Sequence, residues 1–359
     1  MEIMHPRPSP IAAAMYTLRD LGADAIILHG PPGCNFRTSR ILEEDGVRVF
    51  TTGMLEYDFI FGGKNKLLSL LRRLEEKFSF ELIGIVGTCA SMIIGDDIEL
   101  TVKSGGFKSE ILLVETHGGF ADNTIGAIQT LQAAVKNKLI DEQELIRQDK
   151  MLKRATEVEK STGMASMEYI KPSRGDDKIK VARKIINFLK EDDSELLVIM
   201  NAKKELAYIF SDILSAINEI GKIYDSNIIN IANLDPNIGL PRIRGYADNI
   251  IKGLAEKDIK IDHIIGGLDE YSVAGDVACR LVNEEYAGAG NSIIIGTPHG
   301  VSLEDKRIAI TNGPREVEPL RKMGYEDVIV ELDAHSLVVG VDNIVTSDFG
   351  SILRTLSDV

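Results

Sequence analysis

The chain has 359 residues, of which 44% are hydrophobic and 27% charged. Those fractions exclude a disordered or fibrous polypeptide, and the length is that of two or three domains. With 41 Lys and Arg against 55 Asp and Glu, the formal charge is −14. A phosphate backbone would repel such a chain, so general nucleic-acid binding is excluded as a function class, while an anionic small molecule in a local basic pocket is not.

No segment approaches the roughly 20 consecutive apolar residues of a membrane span. The opening residues MEIMHPRPSP lack a basic stretch followed by an apolar one, so no signal peptide is expected. Three cysteines are too few for a disulfide scaffold. A cytoplasmic protein with free or ligating thiols is the expectation.

In chain order, strand signals fall at Ala25–Leu28, Arg48–Thr51, Leu82–Val86 and Ile111–Val114. A helix is predicted over Lys64–Phe78, with Leu67, Leu68, Leu71 and Leu74 on one face, and another over Thr124–Lys138. The charged stretch Asp141–Lys190 is helix-prone, with a linker read at Gly163 and at Lys171-Pro172-Ser173. Strand signals resume at Leu196–Met200, Ile228–Asn233, His263–Ile265, Ser292–Ile295, Ile308–Thr311 and Val328–Leu332. Helices are predicted between them at Lys204–Ile220, Ile243–Glu256, Val273–Tyr286 and Arg315–Met323. Short β-branched runs alternating with helices indicate parallel α/β units. The pattern predicts three Rossmann-like domains: 1–150, 151–265 and 266–359.

In open α/β sheets, ligands bind beyond the carboxyl ends of the strands. The first strand runs into His29-Gly30-Pro31-Pro32-Gly33-Cys34-Asn35, and the third into Gly87-Thr88-Cys89-Ala90-Ser91-Met92. Two cysteines are thereby placed in glycine-rich turns at one edge of one sheet. Thiols so placed suit a soft metal or an iron–sulfur cluster; the alternative is two small buried hydrophobes. A 4Fe–4S cluster usually needs four thiolates. One chain offers two, and a two-fold axis would supply the other pair, which points to a cluster shared in a homodimer. Cys279 lies on the apolar stripe of a predicted helix and reads as a packing thiol.

HGPPGC at His29–Cys34 and TCASMIIGDDI at Thr88–Ile98 resemble the two cluster-ligating segments of the nitrogenase component 1 family. The family includes molybdenum–iron protein subunits, dark-operative protochlorophyllide and chlorophyllide reductase subunits, and shorter methanogen homologues. The likeness covers about the first 120 residues closely and the rest by succession of α/β units. Longer members carry a further Cys upstream of the HGP loop, where this chain reads His5-Pro6-Arg7-Pro8-Ser9. The chain is most similar to the methanogen branch acting on Ni-sirohydrochlorin a,c-diamide on the route to the nickel coenzyme of methanogenesis. That resemblance implies a reductive cyclase in which Cys34 and Cys89 hold a 4Fe–4S cluster between two chains. It also implies an iron-protein-like ATPase as electron donor, and a six-electron reduction of the macrocycle with lactam closure. Nickel enters only with the substrate. No G-x-x-x-x-G-K-[ST] motif occurs, so ATP belongs to the partner.

A macrocycle with several carboxylates needs local cations, for which Arg37, Arg40, Arg242 and Arg244 are candidates, with Asn237 in the loop preceding the second pair. Its reduction needs protons, and His117, His299 and His335 in loops after strands are candidate donors. His29 reads as a support for the cluster loop. Asp96 and Asp97 read as helix-terminal residues rather than as acid–base catalysts. The competing readings are a nitrogenase-like reductase of another substrate, a cluster or cofactor assembly scaffold, and a metal-free nucleotide-sugar enzyme with tandem Rossmann-like domains.

Overall fold

The computed structural model describes residues 9–120, 123–161, 170–191, 195–304 and 307–357. Gly163, read as part of a linker, lies outside them. The chain divides between Lys150 and Met151 into two units.

The first unit is built of α1 (Pro10–Asp20), β1 (Ala25–His29), α2 (Phe36–Glu44), β2 (Arg48–Thr51), α3 (Glu56–Phe61), α4 (Lys64–Lys77), β3 (Leu82–Gly87), α5 (Cys89–Ile94), α6 (Ile98–Lys103), β4 (Glu110–Val114) and α7 (Thr124–Lys136). Its strands are parallel, in the order β2-β1-β3-β4. AIILH in β1 and LIGIVG in β3 are buried at every position, as central parallel strands covered on both faces must be. α4 buries Leu67, Leu71 and Leu74 against Ile27, Ile83 and Ile85, while Leu68 is half-buried at the margin. α1 starts where Ser9 Oγ accepts the Ala12 N–H at 3.2 Å, ahead of Pro10 at the first helical position. It packs on α7 at Gly126, where any Cβ would collide with the Pro10 carbonyl.

α8 (Glu142–Ser161) crosses the boundary. The second unit continues with α9 (Lys178–Lys190), β5 (Glu195–Asn201), α10 (Ala207–Tyr224), β6 (Asn227–Ala232), α11 (Pro241–Glu256), β7 (His263–Ile264), α12 (Tyr271–Glu285), β8 (Asn291–Gly296), β9 (Ile308–Thr311), α13 (Val317–Lys322), β10 (Asp327–Val330), α14 (Ala334–Leu337) and α15 (Asp348–Leu356). These six strands form one parallel sheet in the order β10-β9-β8-β5-β6-β7. The expected division after residue 265 is therefore corrected. Strands from both sides of it hydrogen-bond directly, Leu196–Asn201 of β5 against Asn291–Gly296 of β8. Sequence pattern counts α/β repeats; it does not say which repeats share a sheet. Two three-stranded halves joined at β5 and β8 bury both inner edges, which two separate small sheets would leave unpaired.

α10 is buried on nearly every face, as a helix enclosed by its neighbours should be. A charge cluster fastens α15 to it. Arg354 meets Asp212 at 3.0 Å and Glu219 at 2.6 Å, and the Ser347 backbone N–H and hydroxyl both donate to Asp212 at 2.7 Å. Burial alone would raise the Glu219 pKa, but bonds from Arg354, Ser215 and Lys257 override it and hold the carboxyl at about 2, against an ordinary 4.5. A carboxyl depressed in the folded state stabilises fully above its unfolded value and loses that contribution as pH falls toward the folded one. Arg354→Met should cost about 2–4 kcal/mol near neutral pH. In urea unfolding across a pH series, the gap to wild type should narrow between 4.5 and about 2.

Candidate functional site

β1 passes its chain outward to β2 on one side, whereas β3 passes its chain to β4 on the other. Adjacent parallel strands whose continuations diverge leave a crevice at their carboxyl ends. Cys34 lies in the turn after β1, and Cys89 opens α5 directly after β3. The two turns are fastened together. The Thr88 hydroxyl donates to the His29 carbonyl at 2.9 Å, while Ser91 Oγ receives the Thr88 N–H at 2.9 Å. Gly30 makes this approach possible, because a Cβ there would lie 2.9 Å from Thr88 Cγ2 and closer still to Oγ1.

Cys34 is half-buried and Cys89 exposed. Burial pushes the Cys34 thiol up, the Asn35 side-chain amide opposes that, and the nearby Cys89 adds to the rise. Asn35 stands in the left-handed region at φ 51°, donates to Cys34 Sγ at 3.5 Å and receives the Ser9 hydroxyl at 3.0 Å. Cys89 Sγ accepts the Gly118 N–H at 3.1 Å. Each sulfur thus has an N–H donor directed at it, an arrangement suited to a thiolate ligand. Among the described residues, no group of three or more His, Cys, Asp or Glu is placed to hold a metal within one chain.

His29 braces the first turn. It is 1% exposed, with Nδ1 3.2 Å from Thr52 Oγ1 and Nε2 3.1 Å from Asp96. Burial lowers its pKa against the pull of Asp96. Thr52 Oγ1 also receives the Gly30 N–H at 3.0 Å, and Asp96 the Gly63 N–H at 2.8 Å. Of the two aspartates, Asp97 caps α6 by accepting the Leu100 N–H at 2.8 Å, whereas Asp96 belongs to the His29 brace.

His117 follows β4 beside the second thiol. It is half-buried, its ring centroid lies 3.9 Å from that of Phe120, and Nδ1 accepts the Gly119 N–H at 3.0 Å. Beside it is a partly open pocket of about 410 Å³ lined by the ends of β3 and β4, by α5, by the start of α6 and by α7. Arg37 and Arg40 are exposed on α2, with Arg40 paired to Glu43 at 2.9 Å.

The remaining candidates are in the second unit. His299 sits in a 3-10 turn, Pro298–Gly300, after β8, at the gap where the connections of β5 and β8 diverge. It is 4% exposed, with Nδ1 3.6 Å from Glu316 Oε2. His335 is exposed in α14, where burial of its ring lowers its pKa against the pull of Glu205. Asn237 closes a turn on Asp235 Oδ1, through its backbone N–H at 2.9 Å and its side chain at 3.2 Å. Arg242, half-buried, donates from Nε to the Tyr246 hydroxyl at 2.5 Å, and Arg244 is exposed. Cys279 packs at the edge of the core and accepts the Ser302 N–H at 3.2 Å, the packing role expected of it.

Sequence reasoning missed the surface around the thiols. Phe36, Tyr57, Ile60, Phe61, Met92 and Ile93 are exposed, Ile60 by 74% and Ile93 by 84%. α3 and α5, which carry five of the six, touch one another. The signal was legible in Glu56-Tyr57-Asp58-Phe59-Ile60-Phe61, a short helix apolar on more than one face. The brace at Gly30 can be tested by unfolding. Gly30→Ala should destabilise by about 1–3 kcal/mol, and combining it with Thr88→Ala should cost less than the sum of the two single changes, since the second removes the colliding atoms.

The chain resembles known proteins over nearly its whole length. The family model described as nitrogenase component 1 type oxidoreductase matches residues 9–163. The CfbD component of the Ni-sirohydrochlorin a,c-diamide reductive cyclase complex of Methanothermobacter thermautotrophicus is 51% identical, over 98% of both chains. The corresponding component of Methanosarcina acetivorans is 46% identical over 99% of this chain and 98% of its own. That of Methanocaldococcus jannaschii is 48% identical over 98% of each. Among the described residues, no helix is long and apolar enough to cross a membrane. The chain belongs to the nitrogenase component 1 type oxidoreductases, in the family of Ni-sirohydrochlorin a,c-diamide reductive cyclase components.

Proposed function

We propose that this chain is the component of a reductive cyclase complex that binds Ni-sirohydrochlorin a,c-diamide and carries out its reduction and ring closure. The cofactor is a 4Fe–4S cluster held by Cys34 and Cys89 of two identical chains, and the electrons come from an iron-protein-like ATPase. The observation that carries the reading is the pair of thiols at one crevice, each with an N–H donor on its sulfur, inside a surface of exposed apolar side chains. One chain brings two of the four thiolates that such a cluster usually takes. A contiguous apolar surface on a soluble chain marks an interface, and a two-fold axis through it brings the second pair.

The donor set fits the group. Cys34 and Cys89 would ligate as thiolates, and the cluster would supply reversible electron transfer when bound. The Asn35 amide and the Gly118 N–H offset negative charge on the sulfurs, while His29, neutral and buried, holds the first turn through Thr52 and Asp96. The chain carries no phosphate-binding loop of the ATPase type, so ATP acts on the partner. Nickel is part of the substrate. Arg37, Arg40, Arg242 and Arg244 are the cations offered to its carboxylates, with Asn237 shaping the loop before Arg242. His117, His299 and His335 are the proposed proton donors.

Two measurements test assembly and ligation together. Cys34→Ala should remove essentially all iron from the dimer, because one cluster is shared; retention of half would show that each chain holds its own. Ile93→Asp, which leaves the thiols intact, should give a monomer in analytical ultracentrifugation with little bound iron. The activity itself is tested by anaerobic incubation with the ATPase partner, ATP and Ni-sirohydrochlorin a,c-diamide. Loss of the substrate absorbance and a product mass shifted by the added hydrogens are expected. Stable iron without ATP-dependent turnover would point to an assembly scaffold instead.

A further inference from the structure

We propose that the cavity beside His117 is a receptor for an uncharged primary carboxamide, and that Thr116 and Gln129 recognise it. The inference rests on the reading of the substrate as a nickel tetrapyrrole diamide, and it assigns where one of the two amides is held.

The cavity, about 410 Å³, lies wholly in the first unit. Two of its lining residues present buried polar atoms that have no hydrogen-bond partner among the described residues: the Thr116 hydroxyl oxygen and Gln129 Oε1. Thr116 is 2% exposed. Every neighbouring hydroxyl in the wall is engaged: Thr88 Oγ1 on the His29 carbonyl and Ser91 Oγ on the Thr88 carbonyl. Buried polar atoms in native proteins are nearly always paired, so two orphans on one cavity mark a place where a ligand completes the bonding.

The chemistry of the two orphans selects the ligand. Gln129 Oε1 only accepts, and therefore needs a donor. The Thr116 hydroxyl donates as well as accepts. A primary carboxamide answers both, giving an N–H to Gln129 and taking the Thr116 O–H on its carbonyl. A carboxylate offers the Gln129 oxygen nothing. It would also meet Asp96 and Glu115, the acidic groups of the lining, with no Lys or Arg there to offset them. The cavity thus combines an attractive element for the amide with a repulsive one for the acid. Met92, Ile98 and Phe120 supply apolar surface for the carbons that carry the arm. Position agrees with chemistry: Thr116 is two residues from Gly118, whose N–H is bonded to Cys89 Sγ. An arm held there anchors the macrocycle next to the thiol.

The test is a binding titration of the full-length chain, purified anaerobically with its iron and followed by absorbance. The probes are Ni-sirohydrochlorin a,c-diamide and the same macrocycle with its a and c carboxyls unamidated. Wild type should bind the diamide roughly tenfold or more tighter. Thr116→Val, nearly isosteric, and Gln129→Leu should each weaken the diamide by roughly three- to tenfold and leave the unamidated form unchanged, so that discrimination narrows. Thr116→Ser should behave as wild type. Iron content and the thermal midpoint report whether each variant folds; should Gln129→Leu lose iron, Thr116→Val decides. Wild-type diamide binding with both variants unchanged would overturn this assignment alone, and tighter wild-type binding of the unamidated form would overturn it too. Wild-type protein that binds neither macrocycle would overturn the functional reading and this assignment with it.

Discussion

The contact between the turn after β1 and the turn after β3 is the constraint on which the site depends. A parallel sheet can bring two loops to one edge, but their separation is set by what lies between them. Here that is a hydroxyl, Thr88 Oγ1 on the His29 carbonyl, closing onto a residue without a Cβ. The contact is 59 residues long-range in sequence and is buried. Everything chemically distinctive about the first unit is hung from it: Cys34 four residues beyond Gly30, Cys89 one beyond Thr88, and the imidazole of His29 locked between Thr52 and Asp96. Rigid supports of this kind hold ligands in place better than flexible loops do.

The surface around the thiols has the opposite character. The central strands and α4 of this unit bury their apolar side chains, but α3 and α5 leave several of theirs in solvent near the two sulfurs. An apolar surface exposed at a chemical site is costly for an isolated chain, and it is consistent with a site completed by a second copy. In the function proposed above, the contact that would cover this hydrophobic surface would also bring a second pair of thiols to the crevice.

The second unit repeats the switch-point logic at larger scale. Its six strands run in the order of two three-stranded halves joined at β5 and β8, and the polar groups gather at that junction. His299, Glu316 and Thr311 are buried together there, with the Thr311 hydroxyl donating to Glu316. Buried polar clusters are expensive unless mutually satisfied. His299 lies after β8, where the topology opens a gap beyond the carboxyl ends of β5 and β8. Away from that end, the charge cluster of Arg354 with Asp212 and Glu219 fastens the last helix to the core.

Much of this was determined by the sequence alone, because it depends on local chemistry. Strand positions followed from short runs rich in β-branched and apolar residues: Ile308–Thr311 is predicted and observed with the same ends, and Arg48–Thr51 likewise. The spacing put the two cysteines after neighbouring strands at one sheet edge, where the structure has them, and the motifs around them announced the family. What only the tertiary structure decided depends on pairing between distant segments. The union of the last six strands in one sheet is a choice of neighbour for β5 that no periodicity encodes. Asp96 and Asp97 are adjacent and chemically identical, yet one caps a helix and the other holds a histidine 67 residues away. Thr116 and Gln129 carry no motif at all. They stand out because the fold buries their oxygens on a shared cavity with no partner among the described residues, and burial is a property of the folded chain, not of any residue in it.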